Sequence, residues 1–282
     1  MTKNKKIWIS LGAITAIAGI STIGTLTYLL VNNKNKIDNT KQNENLVNAN
    51  QLIEKIKTKS TANKDLSDSR IKALNQSLLN WLNSEKKILN NTKNISDLDL
   101  KELITKIETH FSTYEEQYNS LINLKDKILA VTDLVNQYSI PEEIEDKDLI
   151  VANSLADLNN ANEEAKEKYN SQDLSGLKDV LVNLDHVYQE QLKILNNNKQ
   201  KIQAEKTNLN QIIAEVQQII NSNPDTTNNR EANEKLAKLK KILSVAQKNY
   251  ANNYVSLSTL QSTKNNLNTV KAEFETSIRN NN

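Results

Sequence analysis

No cysteine occurs anywhere in the 282 residues, and proline, glycine and histidine number only two, four and two. Without cysteine there is no disulfide framework, thiolate nucleophile or zinc knuckle. Three of the glycines (Gly12, Gly19 and Gly24) fall within the first 31 residues, which leaves Gly176 alone in the rest of the chain. A glycine-rich phosphate loop, or a sheet turned by tight hairpins, has nothing to be built from. Aromatic residues make up only 4% and the hydrophobic share is 37%, which fits a thin elongated bundle better than a thick globular core. Charge of one sign is missing too. Thirty-six Lys and Arg face 34 Asp and Glu, interleaved along the chain, so the basic face that displaces counterions from nucleic acid is not expected. Neither His110 nor His186 has a second metal-ligating His or Cys one helical turn away, so no metal site or cofactor is expected. The adjacent acids Glu115 and Glu116, Glu142 and Glu143, and Glu163 and Glu164 would point about 100° apart on a helix and cannot share a substrate. An enzyme is therefore not the expected reading.

One feature is conspicuously present. Residues 7–31 carry no charge, and 25 residues at about 1.5 Å each suffice to cross a hydrocarbon layer of about 30 Å. Trp8 and Tyr28 stand near its two ends, the spacing expected of interfacial aromatic anchors, so a partner of this segment is the lipid bilayer. Lys3, Lys5 and Lys6 precede it, and Lys34, Lys36 and Lys41 follow, partly offset by Asp38; the balance favours a cytoplasmic N-terminus. Ala16 to Ala18 offers a competing cleavage site, in which case a helical effector is secreted. A third alternative inverts the anchor and leaves a cytoplasmic coiled-coil scaffold.

Beyond a polar spacer at 32–45 the apolar period is helical. Leu100, Ile104, Ile107, Phe111, Tyr114, Tyr118, Leu121, Ile128, Val131, Val135 and Tyr138 advance by threes and fours in one long seam, broken only at Lys125. A second seam runs from Leu174 and Leu177 through Leu184, Tyr188, Leu195, Ile202 and Leu209 to Ile220, with polar gaps. Shorter helical patterns cover 46–59, 66–91, 143–170, 229–253 and 257–279. Ser96 and Asp99 form a capping box, Pro141 with Glu142 and Glu143 reads as a first helical turn, and Pro224 ends the second long helix.

The stretches also overlay. A shift of 77 carries Leu100 onto Leu177 and Ile107 onto Leu184, and a shift of 83 carries Leu177 onto Leu260 and Leu184 onto Leu267. After a basic tail at 1–6, the anchor at 7–31 and the spacer at 32–45, three helical units of about 80 residues are expected, at 46–138, 139–222 and, in part, 223–282. The fold class is all-α, an N-terminal transmembrane helix followed by a rod of antiparallel three-helix bundles that share long helices. Tyr169, Tyr250 and Tyr254 precede turns and are the candidate partner contacts. Trp81, among Leu78, Leu79 and Leu82, is expected in the core.

The segment from Tyr169 through Leu174-Ser-Gly-Leu177 to Leu184 resembles the FIVAR-type helical repeat of bacterial surface proteins, and Tyr250 to Leu267 carries a second copy. An anchor followed by Lys- and Asn-rich helices also looks like the large surface antigens of mollicutes. The resemblance implies spectrin-like or FIVAR-like bundles in an extracellular adhesive or structural module. It implies no catalytic residues. The partner expected of a displayed helical surface is an extracellular protein or glycan, and seams this regular could also pair with a second copy of the chain.

Overall fold

In the computed structural model, residues 39–63, 67–91, 95–144, 147–223 and 230–279 are described. They form seven helices and no strand: α1 Asn39–Thr61, α2 Ser69–Asn91, α3 Asp97–Tyr138, α4 Leu149–Asn170, α5 Leu177–Ser222, α6 Arg230–Ala251 and α7 Leu257–Arg279. The all-α expectation is met in this part of the chain. Lys3, Lys5, Lys6, Trp8, Tyr28 and the whole of 7–31 lie outside the described residues. Among the described residues no helix is long and apolar enough to cross a membrane.

Helix starts follow local chemistry. Ser96 caps α3: its Oγ accepts from the Asp99 amide at 3.2 Å and donates to the Asp99 carboxylate at 2.7 Å. Ser256 does the same for α7 through the Thr259 amide at 3.1 Å. By the 77 and 83 shifts the matching position before α5 is Asp173, whose carboxylate accepts from the Ser175 amide at 2.9 Å. There the helix begins one turn late, because Gly176 sits at φ 70° and the first turn cannot close until Leu177. Leu174 is accordingly in the turn, not on the seam of α5.

Pro141 corrects an expectation. It does not open a helix; Pro141 to Ile144 is an isolated turn closed by the Ile144 amide on the Pro141 carbonyl at 3.1 Å. The helix starts later because Asp148 supplies the cap, its Oδ1 accepting from the Ile150 and Val151 amides at 2.9 and 3.3 Å.

The buried positions recur with the shifts read from the sequence. Leu100, Leu177 and Leu260 are all buried, as are Ile107, Leu184 and Leu267. The interior stripe of α3 is nonetheless wider than a heptad seam, for Leu103, Leu124 and Leu134 are buried while Ile104 and Val135 are half-buried. A helix with neighbours on two sides hides more than the two positions per heptad of a two-stranded seam.

The chain divides into two compact units, one within Met1–Lys127 and Glu164–Val182, the other within Ile128–Glu163 and Asn183–Asn282. In the first, ion pairs tie α1 to α2 (Lys86 to Glu54, 2.6 Å), α1 to α3 (Lys59 to Glu115) and α2 to α3 (Lys106 to Glu85, 2.7 Å). In the second, α5, α6 and α7 share one apolar cluster that includes Leu209, Val216, Leu239, Leu243, Leu267 and Phe274. Phe274, wholly enclosed, is its largest member.

Candidate functional site

The three tyrosines named from the sequence have different settings. Tyr169, in the last turn of α4, is half-buried, and its hydroxyl donates to Asp68 Oδ2 at 2.7 Å. Asp68 caps α2 with its other oxygen, accepting from the amides of Arg70 at 2.9 Å and Ile71 at 3.3 Å. Lys125, the break in the α3 seam, brings its ammonium to 3.3 Å from Asp68 Oδ2. Arg70 completes the knot by donating to the main-chain carbonyls of Tyr169, at 3.2 Å, and Ser171. Burial alone would raise the Asp68 pKa, but the Tyr169 hydroxyl, the two amides and Lys125 outweigh it and hold the carboxyl below its ordinary range. A polar residue on a seam is thus consumed by structure.

Trp81 is half-buried, not enclosed; Leu78 and Leu82 beside it take the interior positions. Its indole stacks on His110, with ring centroids 3.9 Å apart, and the Lys106 ammonium lies 5.6 Å from the indole centroid while pairing with the buried Glu85. Desolvation first, then Lys106, push the His110 pKa down, against the opposing pull of Glu85. His186 is exposed on α5. Among the described residues no group of three or more His, Asp or Glu is arranged to hold a metal ion.

Tyr250 and Tyr254 stand on the second unit, 38% and 41% exposed. Each borders a depression of about 320 Å³. The first is lined by Tyr138, Ile140, Val151, Leu195, Ile202 and Val255, with Gln137, Ser139, Asp148, Asn198, Lys199, Asn253 and Tyr254 adding polar groups. The second is formed by Gln203, Lys206, Thr207, Asn210 and Tyr250. Lys199, Gln203, Lys206 and Asn210 are spaced by threes and fours, with Ile202 beside Gln203, so one face of α5 serves both. The turn between α6 and α7 is held against that face by Lys206, which donates to the Asn252 carbonyl at 2.7 Å. Burial lowers the Lys206 pKa, and no carboxylate is among the causes.

Two details of the first depression were not foreseen. Asp148 spends its second oxygen on the Leu257 amide at 3.2 Å, so it joins the starts of α4 and α7. Asn198 is 3% exposed, yet neither its amide nitrogen nor its oxygen has a hydrogen-bond partner. The sequence signal for Asn198 was one of the polar gaps in the second seam: Gln191, Asn198 and Glu205 recur every seventh residue, and all three are buried. Gln191 reaches Asp157 at 3.4 Å and Glu205 pairs with Lys264, which leaves Asn198 as the unsatisfied one.

Compared with known family models, with curated proteins and with solved structures, the chain matches none.

Proposed function

We propose that the chain is a non-enzymatic, single-pass membrane protein that displays a helical ectodomain at the cell surface, in an adhesive or surface-structural role. The observation that carries this is the uncharged run at 7–31, preceded by Lys3, Lys5 and Lys6 and set ahead of a chain whose described regular structure is all helix. In this reading the anchor holds the protein, the polar residues between it and α1 give it reach, since α1 already begins at Asn39 inside the span expected as a spacer, and a rod of three-helix-bundle repeats carries the contacting face outward. The recurrence of buried positions at shifts of 77 and 83 supports repeats, and the likeness to FIVAR-type and mollicute surface proteins agrees with the address. The tyrosines Tyr250 and Tyr254 supply rigid exposed area with a polar tip, the kind of group that recognition surfaces favour.

Protease shaving of intact cells, following a tag placed after Asn282, tests the address. Rapid loss of the tag is the expected result. A tag that survives until lysis would instead turn the same helices into a cytoplasmic scaffold, and recovery of the chain in the medium with a new N-terminus after Ala18 would make it a released effector.

A further inference from the structure

We propose that the α5 face bearing the two depressions binds an oligosaccharide carrying a carboxylate, with one sugar unit seated in each depression. This deepens the display role by naming its ligand class, and it rests on that reading for the setting in which the ligand is met.

Size and charge point to this ligand. Each depression, at about 320 Å³, lies at the lower end of the range of small-molecule sites and takes a single ring, not an extended peptide. Tyr254 and Tyr250 offer flat aromatic surface at the two places; the Gln203 and Asn210 amides pair with sugar hydroxyls in either sense, and the Thr207 hydroxyl, which donates to the Gln203 carbonyl at 3.0 Å, accepts from one. Lys199 and Lys206 lie two turns apart on α5, about 10 Å. Among the described lining residues the single carboxylate is Asp148, whose two oxygens are already engaged by three main-chain amides. Two ammonium groups with no free carboxylate between them complement an anionic guest.

A second observation is independent of charge. The 77-residue shift places Asn198 where Leu121 stands in α3, and Leu121 is wholly buried. At Asn198 an enclosed amide lacks partners, a costly choice where leucine serves at the equivalent position. A ligand group entering the first depression and reaching its floor supplies the donor and acceptor that the protein withholds. The same shift turns Lys206 into Leu129 and Lys199 into Ile122, so α3 has no lysine pair at the matching positions.

The test is calorimetric titration of the full chain in lipid nanodiscs with sialyllactose, with lactose as the neutral counterpart and a hexaglutamate peptide as the acidic non-sugar. Sialyllactose is expected to bind at least about tenfold more tightly than lactose, the margin of one charged hydrogen bond. The double substitution Lys199→Gln and Lys206→Gln is expected to erase that margin, and Tyr254→Ala or Asn198→Leu to weaken binding of both sugars, with thermal unfolding by circular dichroism confirming the fold in each case. Equal affinity for the two sugars, binding of the peptide alone, retention of affinity in the double variant, or no binding to any probe would overturn the proposal. Because the titration uses purified chain, its failure leaves the topology untouched, and a wrong topology leaves the titration readable.

Discussion

Asp68 and Asp148 lie 80 residues apart and perform the same local task, each capping a helix through amides two and three residues on, yet their surroundings differ. Around Asp68 the second oxygen is met by the Tyr169 hydroxyl and Lys125, while Arg70 ties down the end of α4. Around Asp148 the second oxygen meets only a main-chain amide, the 77-residue shift puts Ile202 in place of Lys125, and a depression is left over an unsatisfied Asn198. One capping aspartate is built into a closed polar knot and the other into an open wall. A shared cap and a shared buried stripe are enough to start and seat a helix, and they leave open what fills the corner beside it. The open corner is therefore the one to examine for a ligand, and the closed one for stability.

Exchanging the seam residues breaks the comparison most forcefully. Leu121→Asn should destabilise the first unit by about 3–5 kcal/mol, since it combines a lost leucine with an unpaired buried amide. The loss should be visible in urea unfolding followed by Trp81 fluorescence in a Trp8→Phe background. Next in size, Asp68→Ala removes a cap together with the carboxylate that Tyr169, Lys125 and two amides share, for an expected cost of about 2–3 kcal/mol by the same assay. Asn198→Leu should act in the opposite direction and stabilise the second unit by about 1–2 kcal/mol, because it deletes two unsatisfied atoms; slower amide exchange in peptides covering 191–205 would show it. If it destabilises instead, the amide has a partner that the comparison overlooks.

The smallest effect is in pH. Asp68 ionises below its ordinary value of 3.8 in the fold, so its stabilisation is complete above that value and is lost as pH falls through the lower folded value. Acid unfolding of the first unit should thus become shallower at the low end in Asp68→Asn, with no change of slope near neutrality. An unaltered acid limb would remove Asp68 from the account.

Much of this contrast was half-visible in the sequence. The 3.6-residue period marks all seven described helices, though α1 begins at Asn39 and not at 46, and it gives 257–279 to the residue because Ser256 is a strong cap. Pro141 was misread because proline suits a first helical turn and an isolated turn equally well, and the deciding residue, Asp148, lies seven positions on. The break at Lys125 and the gap at Asn198 looked alike on paper, one polar residue on each seam. Only the placement of Asp68 beside the first, and of no partner beside the second, separates them. The position before a turn marks Tyr250 and Tyr254 in the sequence, whereas nothing there separates Lys199 and Lys206 from the rest of the 36 basic residues, since a lysine becomes notable only when the carboxylates around it are known.

The central claim is the address, and the absence of native cysteine makes a clean test available. Ser112→Cys places one thiol on an exposed position of α3, and Thr2→Cys places one ahead of the uncharged run; each variant is treated on intact cells with a membrane-impermeant maleimide. The account predicts labelling of the Ser112→Cys chain without lysis and labelling of the Thr2→Cys chain only after it. The reverse pattern would contradict it and place the helices on the cytoplasmic side.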